Sequence, residues 1–488
     1  MHDRGRESVI VRVEGWVVAG LVLIASLIFV PLFPDGTLAK WQVLYVLAAL
    51  SAVRLMWSRF DTFDFAVIAF VLYAISTYLW AVDPFGVVHA APRWIAMGLI
   101  IMGARRIRYW APIHWMIGVS VLAIVAMSAI PYYPSVIGNG DLASGFMNEN
   151  YATSYMVTAL PMLFALVAGW PLFFLSAIIC TLTYIVFING AKLEVAAITA
   201  WTAIWVAPRI ANPKVWMLVG LIAIFVMWYA LTVQSASINY RLLTWERGWE
   251  MFLAAPLLGH GLGGLDALYS TFAGGHDPMT PRHGAFAVGA AHNDWLQLVT
   301  DTGIAGMALA ALLVVMVIRT PNKPSWAVYG LAGLSAIAFL DFPLQQPGPC
   351  LLGALCLGAA VRAKRVPRQF PLPWLALRAT PVAAIALVLA VAGVRNVSAE
   401  LHFRDVIDTH KTQPLASYVH VREAIRDWPF SKWYRREAYL RAAKAGVVGV
   451  HLDAARGAMR SAYPWHPTVE RIDRLVAMRR HQAGGIYD

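Results

Sequence analysis

Side chains able to do chemistry are concentrated in one segment of the chain, residues 233–293, which lies between two long apolar stretches. Arg241 and Arg247 lie near its start, a glycine-rich turn follows at 256–264, and His292 lies at its end. Guanidinium groups neutralise anions, and imidazole exchanges a proton near neutral pH. This combination suits transfer from a donor whose leaving group is an anion such as pyrophosphate.

Two further features fit the same chemistry. Lys192 lies in a short polar break between apolar stretches and supplies another cation. The helix predicted to begin at about 294 would present free N–H groups beside His292. Fixed cations favour a transition state in which negative charge grows on the leaving group, and a neutral imidazole can accept the proton of an attacking sugar hydroxyl. The sequence shows no carboxylate cage with divalent-cation spacing, so we expect metal-independent chemistry without a cofactor.

Each of these residues also has a structural alternative that the sequence leaves open. The alternatives are ion pairs of Arg241 and Arg247 with Glu246 and Glu250, a Lys192–Glu194 pair at the membrane interface, an N-cap at Asn293 or Asp294, and helix-packing positions at Gly303 and Gly306.

The elements that position these residues are predicted to be membrane helices. Hydrophobic residues make up 59% of the 488-residue chain and charged residues only 14%, whereas a soluble chain carries about 25% charged residues. A spanning helix needs roughly 20 apolar residues, and shorter runs can serve. The fold class predicted is all-α, a polytopic bundle of twelve or thirteen spans. The apolar runs lie near 14–33, 41–57, 65–81, 88–104, 111–131, 151–169, 171–188, 193–207, 215–232, 294–318, 326–343, 349–362 and 381–396.

The distribution of basic residues orients this bundle. Thirteen spans with a cytoplasmic N-terminus place seventeen of the 39 Lys and Arg residues inside and seven outside before the tail. We therefore expect residues 1–396 to form a transmembrane domain whose long external loop is 233–293. Residues 397–488 should form an external domain, with helices at 415–426, 434–446 and 451–462 that weakly suggest a tetratricopeptide-like pair.

Three motifs resemble those of bacterial O-antigen ligases and follow the family's order along the chain. His292-Asn293 is followed by nine residues, Gly303, two residues and Gly306, which resembles the family's histidine signature. Upstream, Arg241-Leu-Leu-Thr-Trp245 and the turn that starts at Pro256 resemble its Arg/Trp helix and "PLLGHG" turn. Residues 145–150 resemble its "GxFxNxN" element.

The resemblance implies a GT-C-like membrane fold and an undecaprenyl-pyrophosphate-linked glycan as donor, in the inner membrane of a bacterium. It implies a catalytic role for His292 and a pyrophosphate contact for Arg241. The other substrate-binding residues predicted are Lys192, Arg247, Asn293, Asn148 and Asn150. Lys192 stands where the family usually has arginine, and Asp301 where it often has glutamate.

The superfamily also contains polysaccharide polymerases and protein O-oligosaccharyltransferases, so the acceptor could be a lipid A core sugar, a growing glycan or a protein. We expect membrane lipids but no nucleic acid among the partners. Two other classes compete with the enzyme: a flippase for lipid-linked glycans, and a scaffold acting through its tail. A transporter should show charges near the bilayer midplane and an internal repeat. The chain shows few such charges and no repeat.

Overall fold

The protein is described by a computed structural model. The residues it describes are 2–28, 36–128, 149–164, 173, 177, 235–272, 290–363, 372–410, 412–445, 447, 450–462, 472–473 and 476–477.

These residues form α-helices joined by short turns and two 3₁₀ turns, Thr77–Leu79 and Pro343–Gln345. The helices are α1 His2–Leu27, α2 Leu38–Met56, α3 Thr62–Ser76, α4 Pro84–Ala104, α5 Ala111–Ser128, α6 Glu149–Phe164, α7 Ser235–Ala254, α8 Gly264–Phe272, α9 Asp294–Arg319, α10 Ser325–Ala338, α11 Pro347–Ala360, α12 Leu372–Thr409, α13 Pro414–Asp427, α14 Lys432–Ala445 and α15 Val450–Ala462.

Apolar composition and length identify the described helices that could cross a membrane. Five are long and apolar enough to span one: Leu38–Met56, Thr62–Leu79, Pro84–Ala104, Asp294–Arg319 and Leu377–Thr409. Three shorter helices, within 111–127, 325–338 and 347–360, are also apolar. The all-α polytopic membrane fold predicted from the sequence is confirmed. The predicted spans 171–188, 193–207 and 215–232 lie outside the described residues.

One apolar core joins α1–α6 to α9–α12. Its largest fully buried side chain is that of Tyr155 on α6. The Tyr155 hydroxyl lies 2.7 Å from the hydroxyls of both Ser26 on α1 and Ser120 on α5. Since a buried hydroxyl without a partner is costly, this pair of contacts fixes α6 against two neighbours at a defined depth.

A network of charges closes one end of the bundle. Asp61 caps α3 by accepting hydrogen bonds from the N–H groups of Phe63 and Asp64. Arg105, just after α4, contacts Asp61 at 2.6 Å and Asp64 at 2.5 Å, and Arg106 contacts Asp64 at 2.7 Å. Burial alone would raise the pKa of Asp61, but the hydrogen bond and charge of Arg105 outweigh it and lower that pKa. We call Asp61, Asp64, Arg105 and Arg106 the arginine cluster.

His292 lies at the other end. Helix α3 packs against α9, and the Tyr73 hydroxyl near the end of α3 donates 2.8 Å to the Thr302 carbonyl. Helix α11 begins just after the segment 341–345, where Asp341 lies 3.1 Å from His292, and just past its end the Val361 carbonyl accepts a hydrogen bond from Arg105 at 2.6 Å. The arginine cluster and His292 are therefore separated by the length of α11.

The tail is a stack of short helices that continues from the last membrane helix. Helix α12 runs without a break through residue 396, so the end of the predicted last span at 396 is not a structural break. Helices α13, α14 and α15 coincide with the three predicted tail helices, and each packs on the one before it. Their apolar faces share a separate core with the last part of α12.

The tail is docked on the membrane domain at the His292 end. Lys432 donates a hydrogen bond of 2.9 Å to the Gly263 carbonyl. Its ammonium lies 3.1 Å from the Asp83 carboxylate and 3.4 Å from that of Asp266. Burial would lower the pKa of Lys432, but Asp266 and Asp83 together raise it. Trp428 adds a hydrogen bond from its indole N–H to His89 Nδ1, at 2.8 Å.

Candidate active site

The start of α9 is bound to the segment 341–345, which follows α10. Asp294 accepts hydrogen bonds from the Leu344 N–H at 2.7 Å and from the Gln345 side chain at 3.0 Å. Gln345 also donates 2.9 Å to Gln297 Oε1, which accepts the Ala291 N–H at 3.0 Å. Asp294 and Gln297 are engaged in these contacts and do not cap the helix. The N-cap of α9 is Asn293, whose side chain accepts a hydrogen bond from the Leu296 N–H at 3.0 Å.

His292 lies immediately before this cap with its backbone in the left-handed region, at φ 49°. That conformation is uncommon for a residue with a Cβ and is retained where the surroundings impose it. His292 Nδ1 lies 3.1 Å from Asp341 Oδ1. The Asp341 side chain is only 2% exposed, whereas the imidazole is 26% exposed. One ring nitrogen therefore faces a buried carboxylate while part of the ring remains accessible.

Aromatic rings fix the imidazole plane. The Phe342 ring contacts His292 edge-on with centroids 4.9 Å apart, and the Tyr240 ring does so at 5.8 Å. Phe342 in turn contacts the Tyr151 ring in the first turn of α6, at 5.5 Å. Asn150 directly precedes Tyr151, so the end of the predicted "GxFxNxN" element approaches His292 through two aromatic contacts.

Helix α7 brings the predicted arginines to this region. The Trp245 indole N–H donates 3.0 Å to the Ala291 carbonyl, which fixes α7 beside the residue before His292. Arg241 directly follows Tyr240 on this helix and is buried. Arg247 lies nearer the surface and contacts Glu250 at 2.7 Å, the local pair that the sequence offered as its structural alternative. This pairing raises the pKa of Arg247.

The glycine-rich turn is built around the Asp301 carboxylate. Asp301 accepts hydrogen bonds from the N–H groups of Gly263 and Leu265, both at 3.1 Å. Its backbone carbonyl accepts the Gly261 N–H at 2.8 Å. Gly259, Gly261 and Gly263 all have positive φ, at 69°, 87° and 79°. Other residues rarely adopt that conformation, which explains the glycine spacing of this turn.

Gly303 lies on the α9 side of the contact between α9 and the glycine-rich turn. It interrupts α9 with φ 64°, and a Cβ there would overlap the Leu257 carbonyl. Beyond the interruption, the Ile304 N–H donates 2.8 Å to the Pro256 carbonyl. Gly303 in the histidine signature thus permits the turn to bind to α9. Gly303 therefore has a structural role, but it packs against this turn and not against another helix as the alternative supposed.

The remaining predicted residues have a different status. Lys192 and Asn148 lie outside the described residues. Asn150 belongs to the first turn of α6, and its side chain lies outside the description. The structure thus brings His292, Asn293 and the helix that carries Arg241 together.

Sequence reasoning missed Asp341, which lies 49 residues beyond His292. It also missed Gln345 and Lys432. One signal was present for Asp341: it is an isolated acidic residue where an apolar stretch ends, and ionisable residues in that position are functional candidates. Lys432 gave no such signal, because it lies among several other basic residues of the tail.

One of three comparisons with known proteins found a match. No curated protein and no solved structure matches the chain. The segment 153–311 extends from α6 through about two thirds of α9 and contains Arg241, the glycine-rich turn and His292. Over those residues the chain matches the family model of the O-antigen ligases, which is consistent with the superfamily of O-antigen ligases and polymerases.

Proposed function

We propose that this protein is a membrane glycosyltransferase that moves a glycan from an undecaprenyl-pyrophosphate carrier to an acceptor hydroxyl, in the manner of an O-antigen ligase. The observation that carries the proposal is the contact between His292 Nδ1 and Asp341 Oδ1, at 3.1 Å beside the start of α9. The family match over 153–311 supports a glycan-transferring role, and the histidine contact supports a specific way of performing it.

The proposed reaction uses His292 as a general base. An ionised Asp341 can only accept hydrogen bonds, so it holds the ring proton on Nδ1 and leaves the Nε2 lone pair free to take a proton. Nε2 takes the proton of the acceptor hydroxyl while that oxygen attacks the anomeric carbon of the donor sugar. The bond from this carbon to the phosphate oxygen breaks, and undecaprenyl pyrophosphate leaves. Asp341 stabilises the imidazolium that forms.

The proposed leaving-group contacts are cationic. Arg241 lies on α7, next to the Tyr240 ring that contacts His292, and we assign it to the pyrophosphate together with Lys192. A unit charge at about 4 Å is worth roughly 4 kcal/mol in a partly wet pocket before desolvation. Asn293, Asn148 and Asn150 are proposed substrate contacts. Arg247 is the least favoured of the predicted residues, because Glu250 already neutralises it.

We propose that the reaction needs no metal ion. Protein donors engage both aspartates of α9: Leu344 and Gln345 hold Asp294, and the glycine-rich turn holds Asp301. Carboxylates engaged in this way are poorly placed to coordinate Mg²⁺, which needs near-octahedral oxygen ligands.

We further propose that the His292 end faces the periplasm of a bacterial inner membrane, with the N-terminus in the cytoplasm and the tail in the periplasm. The arginine cluster at the opposite end supports this orientation, since cytoplasmic ends are enriched in Lys and Arg. The acceptor would then be a lipid A core sugar, another glycan or a protein.

Polymerisation is the second candidate function, and the docked tail favours it. Lys432 joins the tail to the carbonyl of Gly263 in the glycine-rich turn, so the tail lies close enough to contact a long glycan acceptor. A helical-repeat tail fits a polymerase or an oligosaccharyltransferase better than a plain ligase.

A reconstituted assay distinguishes these functions. Purified protein in liposomes is given an undecaprenyl-pyrophosphate glycan, with lipid A core or without any acceptor, in the presence of a chelator. Glycan joined to the core establishes a ligase, and a ladder of longer lipid-linked chains establishes a polymerase. Movement of the donor across the membrane without transfer would overturn the proposal in favour of a flippase.

A further inference from the structure

A cluster of potential metal ligands lies in the tail, apart from the candidate active site. Helix α12 supplies His402 and Asp405, which are three residues apart on one helical face, and α13 supplies His420. One donor atom from each residue lies within 4.8 Å of the donor atoms of the other two. Bonds from Zn²⁺ to nitrogen are about 2.0–2.1 Å. Small side-chain rotations would therefore bring all three donors onto one ion.

The donor types favour a transition metal over calcium or magnesium. Two imidazoles and one carboxylate are a ligand set typical of Zn²⁺ and its neighbours, whereas Ca²⁺ and Mg²⁺ prefer oxygen ligands alone. His402, His420 and Asp405 are 34%, 33% and 52% exposed. An ion can therefore reach them without unfolding of the tail, and water can occupy a fourth position.

An outer partner is also in place. His402 Nε2 lies 3.6 Å from Asp427 Oδ2 at the end of α13. Asp427 accepts a hydrogen bond from the Ser398 hydroxyl of α12, at 2.5 Å. A carboxylate beside a ring nitrogen is the usual outer partner of a metal-binding histidine, because it orients the ring.

We propose that His402, Asp405 and His420 form a binding site for a divalent transition metal, with Zn²⁺ as the preferred ion. Bound metal would connect α13 to the extension of the last membrane helix and so hold the first tail helix in place. The three residues lie outside 153–311 and outside the His292 region. This proposal is therefore independent of the proposed glycan transfer.

The test uses the full-length protein in detergent, purified through a tag without histidine, treated with chelator and then dialysed. Zinc chloride is titrated by calorimetry, and the thermal unfolding midpoint is measured with and without zinc. We expect one Zn²⁺ per chain and a higher midpoint, because a ligand that binds only the folded state stabilises it. Excess Mg²⁺ should not displace the zinc.

Variants make the test specific. His420→Ala and Asp405→Asn should each weaken zinc binding at least tenfold and remove the shift in midpoint. Asp405→Asn keeps the side-chain shape, which covers the case in which His420→Ala fails to fold. The matched control is His451→Ala, which removes a tail histidine on α15 and should bind zinc like the wild type. Absence of stoichiometric zinc in the wild type, wild-type affinity in both ligand variants, or an equal loss in the control would overturn the proposal.

Discussion

Buried carboxylates have different partners at the two ends of the membrane bundle. In the arginine cluster, Asp64 is fully buried and two guanidinium groups contact its carboxylate, at 2.5 and 2.7 Å. At the other end, His292 contacts a single carboxylate through one ring nitrogen and remains 26% exposed. Its backbone also occupies the left-handed region, which the arginine-cluster residues do not.

This difference separates a structural role from a chemical one. A network whose hydrogen-bond donors and acceptors already satisfy each other has no free group with which to bind a ligand. The left-handed backbone conformation of His292 costs of order 1–3 kcal/mol. Its accessible ring still has a nitrogen that can accept a proton. We infer that the arginine cluster serves stability, and we assign chemistry to His292 and Asp341. Four changes test this contrast, from the largest expected effect to the smallest.

The largest effect should come from Asp64→Ala in the arginine cluster. This change leaves two buried arginines without their shared carboxylate, and breaking a buried pair costs about 3–5 kcal/mol. Denaturant or thermal unfolding in detergent measures the loss. Glu246→Ala, at an exposed position of α7, is the control and should change stability little. Unaltered stability of Asp64→Ala would contradict the structural role of the cluster.

Asp341→Asn should affect activity and leave stability nearly unchanged. An amide can turn its NH₂ group toward His292 Nδ1, which would favour the wrong tautomer and place the ring proton on Nε2. We expect glycan transfer to fall on the order of 10²-fold, a typical contribution of general base catalysis. The initial rate of transfer and the unfolding midpoint should be measured on one preparation. A rate within twofold of the wild type would remove Asp341 from the mechanism.

Gly303→Ala should have an intermediate effect on stability. The residue has φ 64°, and its new Cβ would overlap the Leu257 carbonyl. Strain of this type costs of order 1–3 kcal/mol. Gly457→Ala on α15 is the matched control, because no atom lies within 4 Å of its added Cβ. It should be neutral or slightly stabilising. Equal unfolding midpoints for the two variants would show that the turn does not depend on Gly303.

The smallest effect on the transfer rate should come from Lys432→Met, which removes the contacts to Gly263, Asp83 and Asp266. We expect faster proteolysis of the tail and a transfer rate lowered several-fold, because the glycine-rich turn loses its partner in the tail. Lys444→Met, at an exposed position of the same helix, is the control. If both variants resist protease equally, the Lys432 contacts do not hold the tail.

The pH dependence of tail docking follows from the same residue. The pKa of Lys432 is raised above the ordinary value of 10.5 in the folded protein. Because this pKa is raised, the ionised Lys432 stabilises the docked tail fully below about pH 10.5. That stabilisation is lost as the pH rises through the pKa of Lys432 in the folded protein. Limited proteolysis between pH 8 and 11 should therefore show a protected tail until the upper part of that range. Release of the tail near neutral pH would contradict this assignment.

The sequence predicted those features that depend on local pattern. Apolar runs located the membrane helices, amphipathic spacing located the three tail helices, and the i,i+3 spacing of Arg247 and Glu250 indicated their ion pair. The N-cap at Asn293 was among the stated alternatives. Each of these depends on residues a few positions apart, for which helical geometry alone decides the contact.

Contacts between distant residues were not predictable in the same way. Asp341 meets His292 only because α10 returns to the start of α9 and the segment 341–345 that follows α10 binds Asp294. Lys432 reaches Gly263 across 169 residues because the tail folds back on the bundle. No spacing rule relates such positions. The predicted boundary at 396 passes through a continuous helix, since an apolar span can extend into a polar helix without a signal at the junction.

The central claim is that His292 carries glycan transfer, and one variant tests it most directly. Wild-type and His292→Ala proteins are reconstituted with a radiolabelled undecaprenyl-pyrophosphate glycan and its acceptor, in the presence of chelator. The unfolding midpoint of each is measured first to establish equal folding. We predict that the variant matches the wild type in stability and loses transfer by at least about 10²-fold. Transfer at the wild-type rate by a folded His292→Ala protein would contradict the account.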